Sequence, residues 1–257
     1  MATTRSIGYK ACAHAAAVDG SHRWRCQQHS VARIFIANTP AIVDSDASPN
    51  RCHTMKLFTS PGACSTADHI VLQWLGQPYE FQIVTREQRA TPEYRAINPS
   101  GAVPALQVGD WVLTQNSAIL HYLTDRFPEA GLCGDGGAQS RAEVNRWLAF
   151  VNADVHPAFK PLFGATHYLE DQAAIDKSHA NARAQLRGLF ANADAQLEGK
   201  DWITGSRSIA DPYLFITLQW AKKTGVDLSG LDNLARFDAH MANDAGVQAA
   251  MKAEGLI

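Results

Sequence analysis

The chain has 257 residues, 46% of them hydrophobic and 19% charged, an ordinary balance for a globular protein with room for a buried core and two domains. A formal net charge of -2 and a pI near 6.5 leave no clustered basic charge of the kind that nucleic acid or an anionic membrane surface requires, so neither is expected as a partner. The five cysteines, Cys12, Cys26, Cys52, Cys64 and Cys133, show neither zinc-type spacing nor a CxxC pair, which predicts a reduced, cytoplasmic chain without a metal site. No apolar run has the length needed to span a bilayer.

Residues 1–54 mix Ala, Ser, Arg and His, hold three of the cysteines, and show no sustained period beyond Ile34-Phe35-Ile36. They read as a disordered, dispensable extension. The scarcity of acids, with Asp19 the first and Asp44 the next, also fits a cleaved targeting segment, although His14 interrupts its apolar stretch. Met55 to Thr59 then reads as a strand, which predicts that the functional domain, and the native start with it, begins at Met55.

From Met55 the pattern is regular. A second strand is predicted over Tyr79 to Val84, and between the two Ala67, Ile70, Val71, Trp74 and Leu75 recur at helical spacing up to Gly76, with Pro78 beyond. This is a β-α-β unit, whose crossover is right-handed and whose first loop lies at the strands' carboxyl edge, where α/β sheets bind ligands. A short helix near Glu93 to Ile97 follows. Ala105 to Val108 and Trp111 to Leu113 form a hairpin on Gly109-Asp110, for which a type II′ turn is expected because glycine stands at its first central position. A helix from about Asn116 to Arg126 closes this part, and Pro128 to Gly137 serves as a linker.

The loop Pro61-Gly62-Ala63-Cys64-Ser65 puts a thiol at a helix N-terminus. Free N–H groups and the helix dipole favour a thiolate there, which predicts a reactive Cys64, ionised in large part at neutral pH. The competing reading is a small buried hydrophobe, the common fate of an unpaired cysteine. Position alone does not separate them.

Beyond the linker the pattern is helical throughout. Val144, Trp147, Leu148, Val151 and Val155 make one apolar stripe, and Leu186, Leu189, Phe190, Ala193 and Leu197 another. Tyr213 to Ala221 is apolar nearly all round and marks a central helix. Its start carries Ser208 and Asp211, a capping box in which the hydroxyl caps one N–H and the carboxylate reaches back to another.

In this order, Ser60-Pro61-Gly62-Ala63-Cys64-Ser65, Val103-Pro104-Ala105-Leu106, Gln115-Asn116 and Ser208-Ile209-Ala210-Asp211 resemble the glutathione S-transferases, over Met55 to Ile257. With Asp154-Val155-His156 the resemblance is to the bacterial beta class, which uses a cysteine where other classes use tyrosine or serine. It implies a thioredoxin-like βαβ-ββα domain over residues 55–133 and an all-helical domain over residues 138–257 that holds the electrophile site and dimer contacts. It further implies a homodimer that uses glutathione as cosubstrate, in detoxification of hydrophobic electrophiles, with disulfide or peroxide reduction through a Cys64 mixed disulfide. With no CxxC partner, a second glutathione would resolve that disulfide.

Residue by residue, the resemblance implies a cis peptide before Pro104 that bares the Val103 backbone to the cysteinyl part of glutathione. Gln115 and Asn116 would receive the γ-glutamyl carboxylate at a helix start. Arg89 would meet the glycyl carboxylate, and Asp154 the amino group of glutathione in the neighbouring subunit. His156 would assist thiol deprotonation or position a thiolate beside Cys64. Phe159 and Trp220, with Phe163 and Tyr168, are candidates for the electrophile pocket, although aromatics at helical spacing are more often core.

Three positions depart from the family pattern: Pro157 where a lysine follows the histidine, Ala149 in place of asparagine, and Arg207 in place of an apolar staple. The first two leave open a second reading, a non-catalytic protein of the same fold that carries apolar ligands or docks partners.

Overall fold

Strand β1 (Met55–Thr59) pairs parallel with β2 (Tyr79–Ile83) and antiparallel with β3 (Ala105–Val108), which pairs antiparallel with β4 (Trp111–Thr114). The sheet order is β2-β1-β3-β4, with Met55 opposite Tyr79 and Val108 opposite Trp111. A computed structural model of the chain describes residues 54–257, so the expectations for residues 1–54, the run at Ile34-Phe35-Ile36 included, lie, Thr54 apart, outside the described residues. Within residues 54–257 no helix is long and apolar enough to cross a membrane.

The hairpin turns on two residues. Gly109 has φ +59°, while Asp110 does not share the positive φ that a type I′ turn demands, which leaves the expected type II′. Helix α1 (Ser65–Leu75) ends on Gly76 at φ +62°, as its C-terminal glycine predicts, and α3 (Asn116–Arg126) has the expected bounds. These two pack on one face of the sheet, burying Leu57, Ile70, Leu106, Ile119, Leu120 and Leu123. Each such side chain contributes about 1.5–3 kcal/mol relative to an exposed position. A smaller cluster of Phe58, Val84, Tyr94, Val103 and Ala105 lies under α2 (Pro92–Ile97).

The second half is helical: α4 (Ala138–Phe150), α5 (His156–Ala158), α6 (Gln172–Gln196), α7 (Ala210–Lys223), α8 (Asp232–Asn243) and α9 (Ala245–Ala253). Helix α7 is the pillar, with Ala210 to Leu218 buried without a break, and α1 packs against it and against α9. Its capping box forms with one addition. The Asp211 carboxylate accepts from the Ser208 N–H (2.8 Å) and hydroxyl (2.7 Å) through one oxygen, and from the Ile203 N–H (2.8 Å) through the other. The Ser208 hydroxyl in turn lies 3.4 Å from the Ala210 N–H. Arg207, in place of the apolar staple, lies over the rings of Trp74 (4.9 Å) and Trp202 (5.0 Å) and pairs with Asp244. Its flat cation does the staple's packing.

Between α4 and α5 the helix widens into one π turn, Val151–Val155, in which the His156 N–H returns to the Val151 carbonyl. Pro157 accounts for it. Proline has no N–H to give the Ala153 carbonyl, and its ring crowds that oxygen, so the ladder opens just before it. The apolar stripe survives the distortion, with Val144, Trp147, Leu148, Val151 and Val155 all buried.

Candidate functional site

A cavity of about 300 Å³ opens where the carboxyl edge of the sheet meets the end of α4. Its sheet-side wall carries Cys64, Val103, Gln115 and Asn116, and its helical wall Asn152, His156, Lys160 and Tyr213. The sheet-side wall is shaped by two local backbone constraints. The Val103–Pro104 peptide is cis, which turns the Val103 backbone toward Cys64. Gln115, a residue with a side chain, holds φ +76°, a region that costs about 1–3 kcal/mol and collects at functional sites.

Cys64 sits at the N-cap of α1, as its position in the sequence predicts, and Sγ lies 3.6 Å from the Val103 carbonyl, to which it donates. The thiolate expectation is corrected here. Burial pushes the thiol up to about 12, and the neighbouring Asp68 carboxylate adds to the rise, outweighing the Ser65 N–H and the Asn116 amide that favour the anion. The helix-start argument supplied the stabilising groups and omitted the dry, acidic neighbourhood. Asp68 is itself fully buried, with Oδ1 unpartnered and Oδ2 3.2 Å from the Asn116 amide, and burial holds its carboxyl well above the usual range.

The Asn116 side chain also donates to the Cys64 carbonyl at 2.6 Å, so it braces the thiol loop and turns inward. What α3 offers the cavity is its backbone start and the Gln115 side chain, which makes no cap bond. His156 is half-buried, and burial, followed by the Lys160 charge, lowers its imidazole below the ordinary histidine value. The ring is neutral near pH 7. Nδ1 lies 2.5 Å from the Tyr213 hydroxyl.

The family profile described as the glutathione S-transferase N-terminal domain matches residues 60–131. Glutathione S-transferase GST-4.5 of Xanthomonas campestris pv. campestris is 57% identical over 203 residues, 79% of this chain and all of that protein. The chain belongs to the glutathione S-transferase family. The solved glutathione S-transferase of Xylella fastidiosa, also 57% identical, superposes with a TM-score of 0.77 over 79% of this chain and 100% of its own. The bacterial beta class enzyme of Sphingomonas chungbukensis, 35% identical, covers 79% of this chain and 100% of its own with a TM-score of 0.69. The resemblance to the beta class thus has a solved counterpart.

The cavity gathers five of the nine site residues named from the sequence, Cys64, Val103, Gln115, Asn116 and His156, and four lie elsewhere. Arg89 is on the 3-10 turn after β2, half-buried, with its carbonyl against Gly101 at φ +64°, where a Cβ would come within 2.8 Å. Asp154 is exposed on the π turn and borders a separate groove with Arg146, Phe150 and Gln196. Phe159 is fully buried, stacked on Phe163 and set edge-on to Phe190, so it belongs to the core. Trp220 is 8% exposed, and its indole N–H donates to the Gly62 carbonyl at 2.7 Å while its ring meets His156 and Phe163 edge-on. It ties the thiol loop to α7. Phe163, half-exposed, and Tyr168, at the surface, complete that set of aromatics.

Sequence reasoning missed Tyr213, Asn152 and Lys160. A hydroxyl inside an otherwise apolar run was the available signal for Tyr213, and Lys160 stands three residues beyond the position where the family lysine is missing. It also missed Glu254, in the turn after α9. That carboxylate accepts from the hydroxyls of Thr59 (2.9 Å) and Thr66 (2.7 Å) and from the Gly62 N–H (3.3 Å), and lies 2.9 Å from His69 Nδ1. All four partners flank Cys64.

Proposed function

We propose that this chain conjugates glutathione to hydrophobic electrophiles in the cavity between Cys64 and His156. The observation that carries the reading is that cavity: the cis-Val103 backbone and the strained Gln115 form one wall, and a neutral histidine faces them from the other. Glutathione lies along the sheet edge. Its cysteinyl backbone pairs with Val103 in strand fashion, its γ-glutamyl carboxylate meets Gln115 and the start of α3, and its sulfur rests between Cys64 and His156. Arg89 takes the glycyl carboxylate, and Asp154 reaches a second subunit's glutathione in a cytoplasmic homodimer.

In the reaction the glutathione sulfur loses its proton, attacks the electrophilic carbon, and the leaving group departs with the displaced electron pair. Cys64, held as a thiol, donates a hydrogen bond to the sulfur, exchanging the Val103 carbonyl for it when that carbonyl is taken by substrate. Fixed donors aimed at a developing thiolate lower the barrier because they need no reorganisation. The electrophile lies beside Trp220, whose ring meets His156 edge-on, and the half-exposed Phe163 that packs against it.

Steady-state assay with glutathione and a panel of aryl halides, disulfides and hydroperoxides tests the reading. Conjugation of aryl halides that survives Cys64→Ala and falls in His156→Asn is the expected result. Turnover of disulfides alone, abolished by Cys64→Ala, would replace conjugation with thiol exchange, and glutathione binding without any turnover would make the chain a carrier. A chain starting at Met55 is expected to keep both activity and unfolding midpoint, since the described residues that line this site run from Cys64 to Tyr213.

A further inference from the structure

Tyr213 is the one residue of α7 that lines the cavity, and its hydroxyl has two neighbours there: His156 Nδ1 at 2.5 Å and Asn152 Oδ1 at 3.4 Å. The phenol ring is 1% exposed and stands nearly perpendicular to the imidazole, 5.9 Å between centroids, so packing fixes the approach. We propose that Tyr213 is a positioning residue that gives its hydroxyl proton to Nδ1 of His156 and thereby holds the imidazole proton on Nε2, turned to the glutathione sulfur. The inference rests on the reading of this cavity as the glutathione site.

A hydroxyl has one proton to donate, and the two neighbours compete for it. An imidazole nitrogen is a stronger base than an amide oxygen, and it lies 0.9 Å nearer, by the difference between 3.4 and 2.5 Å. The proton therefore goes to Nδ1. The Asn152 carbonyl oxygen, at 3.4 Å, is left as the weaker and more distant acceptor. Because burial raises the Tyr213 hydroxyl far above its ordinary value, with Cys64 and Asp68 adding to the rise, it stays a donor at every working pH.

The tautomer decides the chemistry. A neutral imidazole that accepts at Nδ1 must donate at Nε2, so His156 is a hydrogen-bond donor to the thiolate and not the base that makes it. The glutathione proton goes to solvent, and no other bond changes in this step. The titratable groups facing the pair are Lys160 from its own segment and Cys64 and Asp68 from the thiol loop and α1. The Lys160 charge and burial both oppose a second proton on the ring.

Tyr213→Phe keeps the ring and removes the proton. In the full-length protein without glutathione, 15N NMR of the ten histidines, with His156 assigned through His156→Asn, should show a single Nε2–H tautomer in the wild type. In Tyr213→Phe that preference should be lost. With glutathione added, the thiolate absorbance should titrate at higher pH in the variant. The kcat should fall on the order of tenfold to a hundredfold, at or just below the contribution usual for proton-positioning groups. The KM for glutathione should hold within about twofold, since ground-state binding is untouched. In a His156→Asn background Tyr213→Phe should add nothing. An Nδ1–H tautomer in the wild type, or an unchanged tautomer and thiolate midpoint in the variant, overturns the proposal. A tautomer change in a protein that binds no glutathione would sustain the hydrogen bond and overturn the reading of the site.

Discussion

Helices α1 and α7 both begin with a buried acid in the first turn, and the two acids are treated differently. Asp211 has both oxygens occupied by three donors from the loop before its helix. Asp68 has one oxygen on the Asn116 amide and the other on nothing. Burial raises both carboxyls. The bonds at Asp211 restrain the rise to about 6, whereas Asp68, with fewer donors and the Glu254 charge nearby, is held well above its usual range. A saturated acid is a structural device, while an unsaturated one beside a thiol sets the character of a site.

The largest break in that comparison is Asp211→Ala. It strands the Ser208 and Ile203 N–H groups in the core, at about 1–3 kcal/mol each, so unfolding stability should fall by about 2–6 kcal/mol. Urea titration measures the loss, and glutathione affinity of the folded fraction should be unchanged. A drop in affinity with stability intact would place Asp211 in the site.

The next sharpens it through pH. The folded carboxyl of Asp211 titrates at about 6 and the unfolded one near 4, so the folded chain holds the extra proton between these values. The stability this group contributes is full below pH 4 and is lost as pH rises through 6. Over that interval the wild type should lose up to about 3 kcal/mol of its advantage over Asp211→Asn. Thermal melts of the two proteins from pH 4 to 7 should converge, and parallel curves would show an Asp211 that is ionised throughout.

A smaller effect is expected at the other helix. With the thiol pushed up to about 12, alkylation of Cys64 in the free enzyme should stay slow through pH 9, and Asp68→Asn should move its onset to lower pH by removing the adjacent charge. Stability should change by no more than about 1 kcal/mol, because the asparagine can keep the Asn116 bond. Rapid alkylation of the wild type at pH 7, located by peptide mapping, would restore the thiolate expected at a helix start.

Much of the fold was legible because its signals are local. Strand β1 and helix α3 follow from short-range pattern, the hairpin from one glycine, and α7 from an apolar run with Ser208 and Asp211 at its head. The π turn was not, because a proline announces that a ladder will break without saying whether the helix stops or widens. The cavity was half legible. Cys64, Val103, Gln115, Asn116 and His156 follow from family motifs, yet the ionisation of Cys64 depends on burial and on Asp68, which only three-dimensional packing supplies. That Phe159, fully buried, does not line the cavity was not legible for the same reason: helical spacing shows that an aromatic faces inward and leaves unstated whether it meets a cavity or other side chains.

Glu254 bears on how the chain is made. Its carboxylate binds Thr59, whose partner lies 195 residues downstream, together with Gly62 and Thr66 around the thiol. The β-α-β unit leaves the ribosome early and waits through nearly the whole of translation for the group that completes its loop. A nascent chain stalled anywhere before α9 therefore carries the cysteine and the sheet without the finished loop, and the catalytic half matures only when synthesis has passed residue 254.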